Sequence, residues 1–396
     1  MIALFLAPIY ICLNICIGKW LIKWLSACNK IFENDKIRKI IISIHILLAS
    51  SILIGFILPI SKIKRVFTIV GNYYLGVTLY VLLVVLIANL IRIILYKMKK
   101  IPKEKSKKKK IFVLSGIICS IIILGVTTLG VINARIIKTT EYDVVINKET
   151  KLEDLKIVMV ADLHLGYNIG TLQMKKMVEK INEKKPDVVL IAGDIFDNDY
   201  DSLDDPEELI RIFKNINSKY GVYAVYGNHD IEEKNLAGFS FSFNNSKKSS
   251  DLRMDELLKK SNITLLKDDY ISINEEIYIY GRADYLRPGR GIEERKKAEE
   301  LVNDLEEDKV MIVMDHEPFE LEELSKANID LTLSGHTHNG QIFPGNILVN
   351  LLYENAYGYK KINNMHSIVT SGVGLFGPNM RVGTKSEVVV INVKFK

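Results

Sequence analysis

Four long stretches of the chain carry no charged side chain: residues 1–18, 40–60, 67–91 and 111–134. A transmembrane helix needs about 20 predominantly apolar residues, and core helices seldom sustain that. The pattern predicts a four-helix transmembrane region, residues 1–135, with spans at about 1–25, 40–60, 67–91 and 111–134. The first span lengthens by snorkelling of Lys19 and Lys23. It lacks the basic leader and small-residue cleavage site of a signal peptide, so it is expected to remain as a span. His45 and Asn89 lie inside these stretches, and hydrogen bonding between helices is their expected role.

Past a short linker, residues 136–150, the pattern changes to alternation. "LKIVMVAD" (155–162) is an apolar, strand-like run, and "TLQMKKMVEKINEKK" (171–185) spaces its apolar residues as an amphipathic helix does. "PDVVLIAGD" (186–194) is a second strand and "PEELIRIFKNINSK" (206–219) a second helix. "GVYAVYGNHD", "KVMIVMDHEP" and "IDLTLSGHTH" continue the series. Buried strands alternating with helices predict an α/β core of stacked layers over residues 151–396. "GFSFSFNNSKKSS" (238–250) reads as a polar loop and "KEKSKKKK" (103–110) as a solvated charge run.

Charge divides at the same place. Up to Thr140 there are 21 Lys and Arg against three acids, a balance of +18, while the remaining 32 basic and 44 acidic residues give −12. The overall +6 therefore hides an acidic downstream region, and nucleic-acid binding, which needs a basic face, is not expected. All four cysteines (Cys12, Cys16, Cys28, Cys119) precede that region, so it has no disulfide framework.

Each apolar run ends in a polar cluster, often introduced by glycine: Asp162/His164, Gly193-Asp194, Gly227-Asn228-His229-Asp230, His316, and Gly335-His336-Thr337-His338. Ligands of open α/β sheets gather beyond the carboxyl ends of the strands, so the five clusters are expected to share one rim. Asp162, His164, Asp194, Asn228, His316, His336 and His338 form a mixed nitrogen and oxygen donor set without thiolate. Such a set suits two divalent ions of borderline or hard character, such as Mn²⁺, Fe or Zn²⁺. A carboxylate between two cations can bridge them, and Asp194 is the candidate.

The order D-x-H, G-D-x-x-D, G-N-H-D, a lone H and G-H-x-H resembles that of the calcineurin-like metallophosphoesterases over roughly residues 151–396. The tail, "GHTHNGQIFPG" and "SGVGLFGPNMRVG", looks like their membrane-associated bacterial branch, which includes phosphodiesterases and lipid-pyrophosphate hydrolases. The resemblance implies a layered β-sandwich flanked by helices. It also implies one metal at Asp162, His164, Asp194 and His338 and another at Asp194, Asn228, His316 and His336. His229 becomes the acid at the leaving oxygen and Asp197 the carboxylate that orients it; Asp230 has no clear part. Arg381 is a candidate for meeting a substrate phosphate with its planar fork. Hydroxide generated at the cations would attack phosphorus opposite the ester oxygen. The expected activity is hydrolysis of a phosphodiester, phosphomonoester or pyrophosphate bond at a bilayer, with lipid head groups or envelope components as candidate substrates. The alternatives are a transporter or sensor with an accessory phosphoesterase domain, and a metal-free binding module. The first would show paired charges or broken helices at mid-membrane, and the second would have lost ligands. The sequence has neither mark.

Basic residues also predict an orientation. Residues 19–39 carry six Lys and Arg, residues 62–65 carry three, and residues 97–110 carry nine lysines. The positive-inside rule then places the first and third loops in the cytoplasm and the region after the fourth span outside it.

Overall fold

The structure, a computed structural model, describes residues 2–100, 102, 104–236, 238–241, 251–285, 287, 294–303, 305–306 and 308–396. Two compact units divide it. The first comprises residues 1–132 with the short segments 236–241 and 377–380, and the second holds the rest.

The first unit is built on four helices: α1 (Ile2–Cys28), α2 (Asp35–Ile57), α3 (Lys62–Lys97) and α4 (Lys105–Ala134). Each is long and apolar enough to cross a membrane. Asn34 and Ser61 cap α2 and α3 by accepting their first free amides. His45 lies 2.9 Å from the Asn14 carbonyl and 3.2 Å from the Tyr74 hydroxyl, which itself donates to Asn14 Oδ1. Three helices are thereby joined through one imidazole. Asn89 departs from the interhelical role expected of it, because its amide turns back onto the Val85 carbonyl of its own helix. The lysine run at 103–110 enters α4 and is exposed where described; Lys103 lies outside the described residues.

The second unit contains the strands β1 (Ile137–Ile146), β2 (Asp154–Val160), β3 (Val188–Ala192) and β4 (Val222–Val225). The short β5 (Lys234–Leu236) and β6 (Phe239–Phe241) form a two-stranded sheet, and most of the expected loop at 238–250 lies outside the described residues. Then come β7 (Ile263–Leu265), β8 (Asp269–Ile273), β9 (Ile277–Gly281), β10 (Val310–Met314), β11 (Leu331–Ser334), β12 (Gly358–Ile362), β13 (Met365–Val369) and β14 (Ser386–Phe395). One six-stranded sheet has the order β1-β14-β2-β3-β4-β7 and the other β12-β13-β11-β10-β9-β8. Helices α5 (Thr171–Glu183), α6 (Pro206–Lys214) and α7 (Leu252–Lys260) cover the first sheet, and α8 (Leu321–Lys326) covers the second.

Period-two burial explains the layering. In β2, Leu155, Ile157 and Met159 enter the core between the sheets, while Val158 and Val160 face the helices. β3 divides likewise, with Val188, Leu190 and Ala192 inward and Val189 and Ile191 outward. Strands apolar on both faces are what a helix-covered parallel sheet requires. The expected sandwich flanked by helices is the fold observed.

One boundary is corrected. Residues 137–146, expected within a linker, form β1 and pair in parallel with β14 over ten residues. The signal was present as a Thr, Tyr and Val-rich run, but its exposed face made it read as polar connection. The second unit accordingly starts at Asn133, in the last turn of α4.

Candidate metal centre

Parallel pairing of β2, β3 and β4, and of β10 and β11, sends their carboxyl ends to one rim. The next residues after each strand carry the polar clusters. Asp162, His164, Asp194, His336 and His338 all adopt positive φ, between 45° and 71°. Non-glycine residues are uncommon there, and such conformations concentrate at functional sites. Glycine supplies the clearance: a Cβ on Gly227 would lie 2.4 Å from Asp194 Oδ1 and 2.5 Å from the His316 ring.

The donor atoms converge. His164 Nε2 lies 3.0 Å from His338 Nε2 and 3.6 Å from Asp194 Oδ2, and His338 Nε2 is 3.8 Å from Asp162 Oδ1. His316 Nε2 approaches the same Asp194 oxygen at 3.2 Å, and His336 Nδ1 faces Asn228 Oδ1 at 2.9 Å. Asp194 Oδ2 thus stands between two histidines that belong to different donor groups. Metal–ligand bonds of about 2.0–2.2 Å would leave neighbouring donors roughly 3–4 Å apart, which fits these spacings. Asp162 Oδ2 is buried without a hydrogen-bond partner among the described residues, another mark of a site built for a cation. Asp162, His164 and His338 form one grouping, and Asp194, His316 and His336 a second.

Electrostatics divide the donor histidines: burial is outweighed by Asp197 and Asp194 at His164, which is raised, and by Asp194 at His316, which stands well above the ordinary imidazole range. Burial, then the neighbouring His164 and Arg381, hold His338 well below the ordinary imidazole range, and desolvation pushes His336 down to about 3. Neutral imidazoles offer the lone pairs a metal needs. Burial alone would raise the Asp194 carboxyl, but His316 and His229 reverse this and keep it ionised.

A third grouping, His164, Asp197 and His229, extends the site outward. Asp197 Oδ1 is 3.7 Å from His164 Nδ1 and 3.5 Å from His229 Nδ1. Burial would raise the Asp197 carboxyl, but these two imidazoles bring it down to about 2. A carboxylate on the far nitrogen of a candidate ligand histidine is a familiar orienting arrangement. His229 Nδ1 also lies 2.8 Å from Asn198 Oδ1, whose amide nitrogen donates to the Ile231 carbonyl. Asn198, one residue beyond the G-D-x-x-D motif, was missed in the sequence.

Asp230 gains a part, and the contact expected of Arg381 changes. Asp230 accepts the amides of Phe196 and Gly227, at 2.8 and 2.7 Å, and so ties the loops after β3 and β4 together. Burial, then the neighbouring Asp194, raise its carboxyl to about 7. Arg381 is fully buried, and its Nη2 donates to the carbonyls of Ser371 and Gly374 at 2.6 and 2.8 Å, beside His338 Nδ1 at 3.3 Å. Its guanidinium supports His338 and the loop after β13 instead of presenting a fork to substrate. Glu387 braces the same loop, accepting from the Ser371 amide and hydroxyl at 2.9 Å each. His366 lies apart from the centre, between Tyr359 and the Val145 carbonyl.

Glu317 was also missed. It is fully buried, its oxygens make no hydrogen bond among the described residues, and Oε1 is 3.6 Å from His336 Nδ1. Burial, then the neighbouring Asp284, raise its carboxyl to about 8. Its position directly after His316 was the available signal.

The sequence model of the calcineurin-like phosphoesterases matches residues 155–340, which contain every residue of these groupings. An uncharacterized metallophosphoesterase of Campylobacter jejuni is 31% identical over 287 residues, covering 72% of this chain and 70% of that protein. The chain belongs to the calcineurin-like phosphoesterase family. A zebrafish (Danio rerio) relative, named as a transmembrane protein with a metallophosphoesterase domain, is 28% identical over 67% of this chain and 59% of its own length. A metallophosphoesterase of Aquifex aeolicus is 29% identical over 66% of this chain and 93% of its own. Family membership points to phosphoester hydrolysis with divalent metals. The four apolar helices and the transmembrane relative point to membrane association.

Proposed function

We propose that this protein is a membrane-anchored phosphoesterase with a dinuclear centre, acting on phosphoesters presented at a bilayer. The observation that carries the reading is the position of Asp194 Oδ2 between His164 and His316. One metal would be held by Asp162, His164, Asp194 and His338, the other by Asp194, Asn228, His316 and His336. When bound, two divalent cations supply an activated water and stabilise negative charge on a phosphoryl group.

The protein's own residues then divide the remaining work. Asp162 accepts the His336 amide and Asp194 accepts the His229 amide, each at 2.8 Å, so both carboxylates lock the loops that carry their partners. His229 donates through Nδ1 to Asn198, which leaves its other nitrogen for a leaving oxygen. Asp197 Oδ1, 3.5 Å from the same Nδ1, helps to orient the ring.

The direct test is a panel of mono-, di- and pyrophosphate esters, water-soluble and lipid-linked, assayed with the purified full chain and Mn²⁺. Metal-dependent turnover of at least one class is expected; the absence of turnover across the panel with Mn²⁺, Fe²⁺ and Zn²⁺ would sink the reading.

On this reading the basic first and third loops face the cytoplasm and residues 151–396 lie outside it. Only Arg135 and Lys138 flank that side of α4, against nine lysines in residues 97–110. Protease added to cells stripped of their outer wall should digest residues 151–396. Protection until the membrane is permeabilised would invert the topology.

A further inference from the structure

Beside the candidate metal centre lies a helix that the described residues leave uncovered. α9 (Gly345–Leu352) has no buried residue. Ile347, Leu348, Leu351 and Leu352 are 51, 60, 78 and 75% exposed, and Phe343 just before the helix is 46% exposed. The four aliphatic side chains are related by three or four positions and form one stripe. Folding normally hides such a stripe, and a contiguous exposed one marks an interaction surface.

We infer that α9 is a membrane-interface helix, lying in the boundary between head groups and acyl chains, which brings lipid-linked phosphoesters to the metal centre. This rests on the phosphoesterase reading above and adds the class of substrate and its route. Three observations favour a lipid surface over a protein partner. The segment 341–353 carries no charged side chain. The Asn350 amide is turned back onto the Asn346 backbone carbonyl at 2.7 Å and is not offered to a partner. The chain also brings its own bilayer: only Arg135 and Ile136 separate α4 from β1, a reach of about 7 Å.

Aromatic residues bracket the helix, Phe343 before and Tyr353 after, as they do at membrane interfaces. Tyr353 leads inward, with its hydroxyl 3.0 Å from His336 Nε2. Its ring stacks on Phe319 at 5.3 Å, and Phe319 meets Tyr285 at 5.1 Å. An aliphatic stripe followed by an aromatic wall gives a lipid tail an apolar path while its phosphate reaches the donor cluster.

The test uses the full chain in phosphatidylcholine proteoliposomes. With Trp20→Phe and Trp24→Phe removing native emission, Leu351→Trp reports the position of α9. Stronger quenching by chain-brominated phosphatidylcholine than by iodide is expected. Quenching by iodide alone would leave α9 in water, and quenching by neither would mean that protein covers it; both overturn the inference. In parallel, Leu348→Asn/Leu351→Asn should slow turnover of a bilayer-embedded phosphoester at least about tenfold more than that of a soluble nitrophenyl ester. Equal slowing of both substrates overturns the inference while leaving the phosphoesterase reading intact. Failure of the parent protein on both esters and on the rest of the phosphoester panel overturns that reading instead.

Discussion

Asp194→Asn should strip both metals from the protein together. Asp194 Oδ2 faces His164 at 3.6 Å and His316 at 3.2 Å, so a single charge serves two cations in the proposed centre. Asparagine keeps the shape and can still accept the His229 amide, which Asp194 Oδ1 accepts at 2.8 Å, so the fold should survive. What disappears is the negative charge between two positive ions, which no neighbour can replace. Outer-shell substitutions around metals cost about 10–100-fold in affinity or activity, and loss of the shared carboxylate should exceed that range. The measurement is metal content by mass spectrometry beside kcat/KM on a nitrophenyl phosphodiester. Loss of one equivalent with the other retained would show that the carboxylate serves one ion only.

His229→Ala should do the opposite, keeping both metals and losing the chemistry. In the proposed assignment His229 is not a ligand. Its Nδ1 is held by Asn198 at 2.8 Å with Asp197 at 3.5 Å. Positioned acid catalysis contributes about 10²–10⁴-fold, so kcat should fall by that much for an alkyl leaving group. For nitrophenyl esters, whose leaving oxygen needs little protonation, the fall should be much smaller. An equal loss on both kinds of ester, with metal content unchanged, would remove the acid role. Loss of metal would instead make His229 a ligand.

The centre was legible because its residues are placed by a short-range rule. A buried strand ends, a glycine gives clearance, and the following side chains reach inward. That rule marked the seven candidate donors and Asp197 from local sequence. The residues it missed act across the fold. Asn198 matters through a ring that arrives from the loop after β4, and Glu317 through a histidine that arrives after β11. Arg381 shows the converse: its fork suggested phosphate, but tertiary packing turned it onto the carbonyls of Ser371 and Gly374. β1 escaped notice because only one face of it is buried and its partner, β14, is more than 200 residues away. The spans were the easiest feature to read, since about 20 apolar residues in a row carry their own meaning.

The donors do not all hang from one sheet. Asp162, His164, Asp194 and Asn228 follow strands of the first, while His316, His336 and His338 follow strands of the second. Each proposed cation would therefore be a rivet through both halves of the sandwich, fastened at its open rim. Neither half of the chain holds a working site alone, so chemistry would wait until both sheets have closed on each other. A half-folded protein at the membrane would be harmless to the phosphoesters around it, a safeguard that follows from where the ligands are anchored.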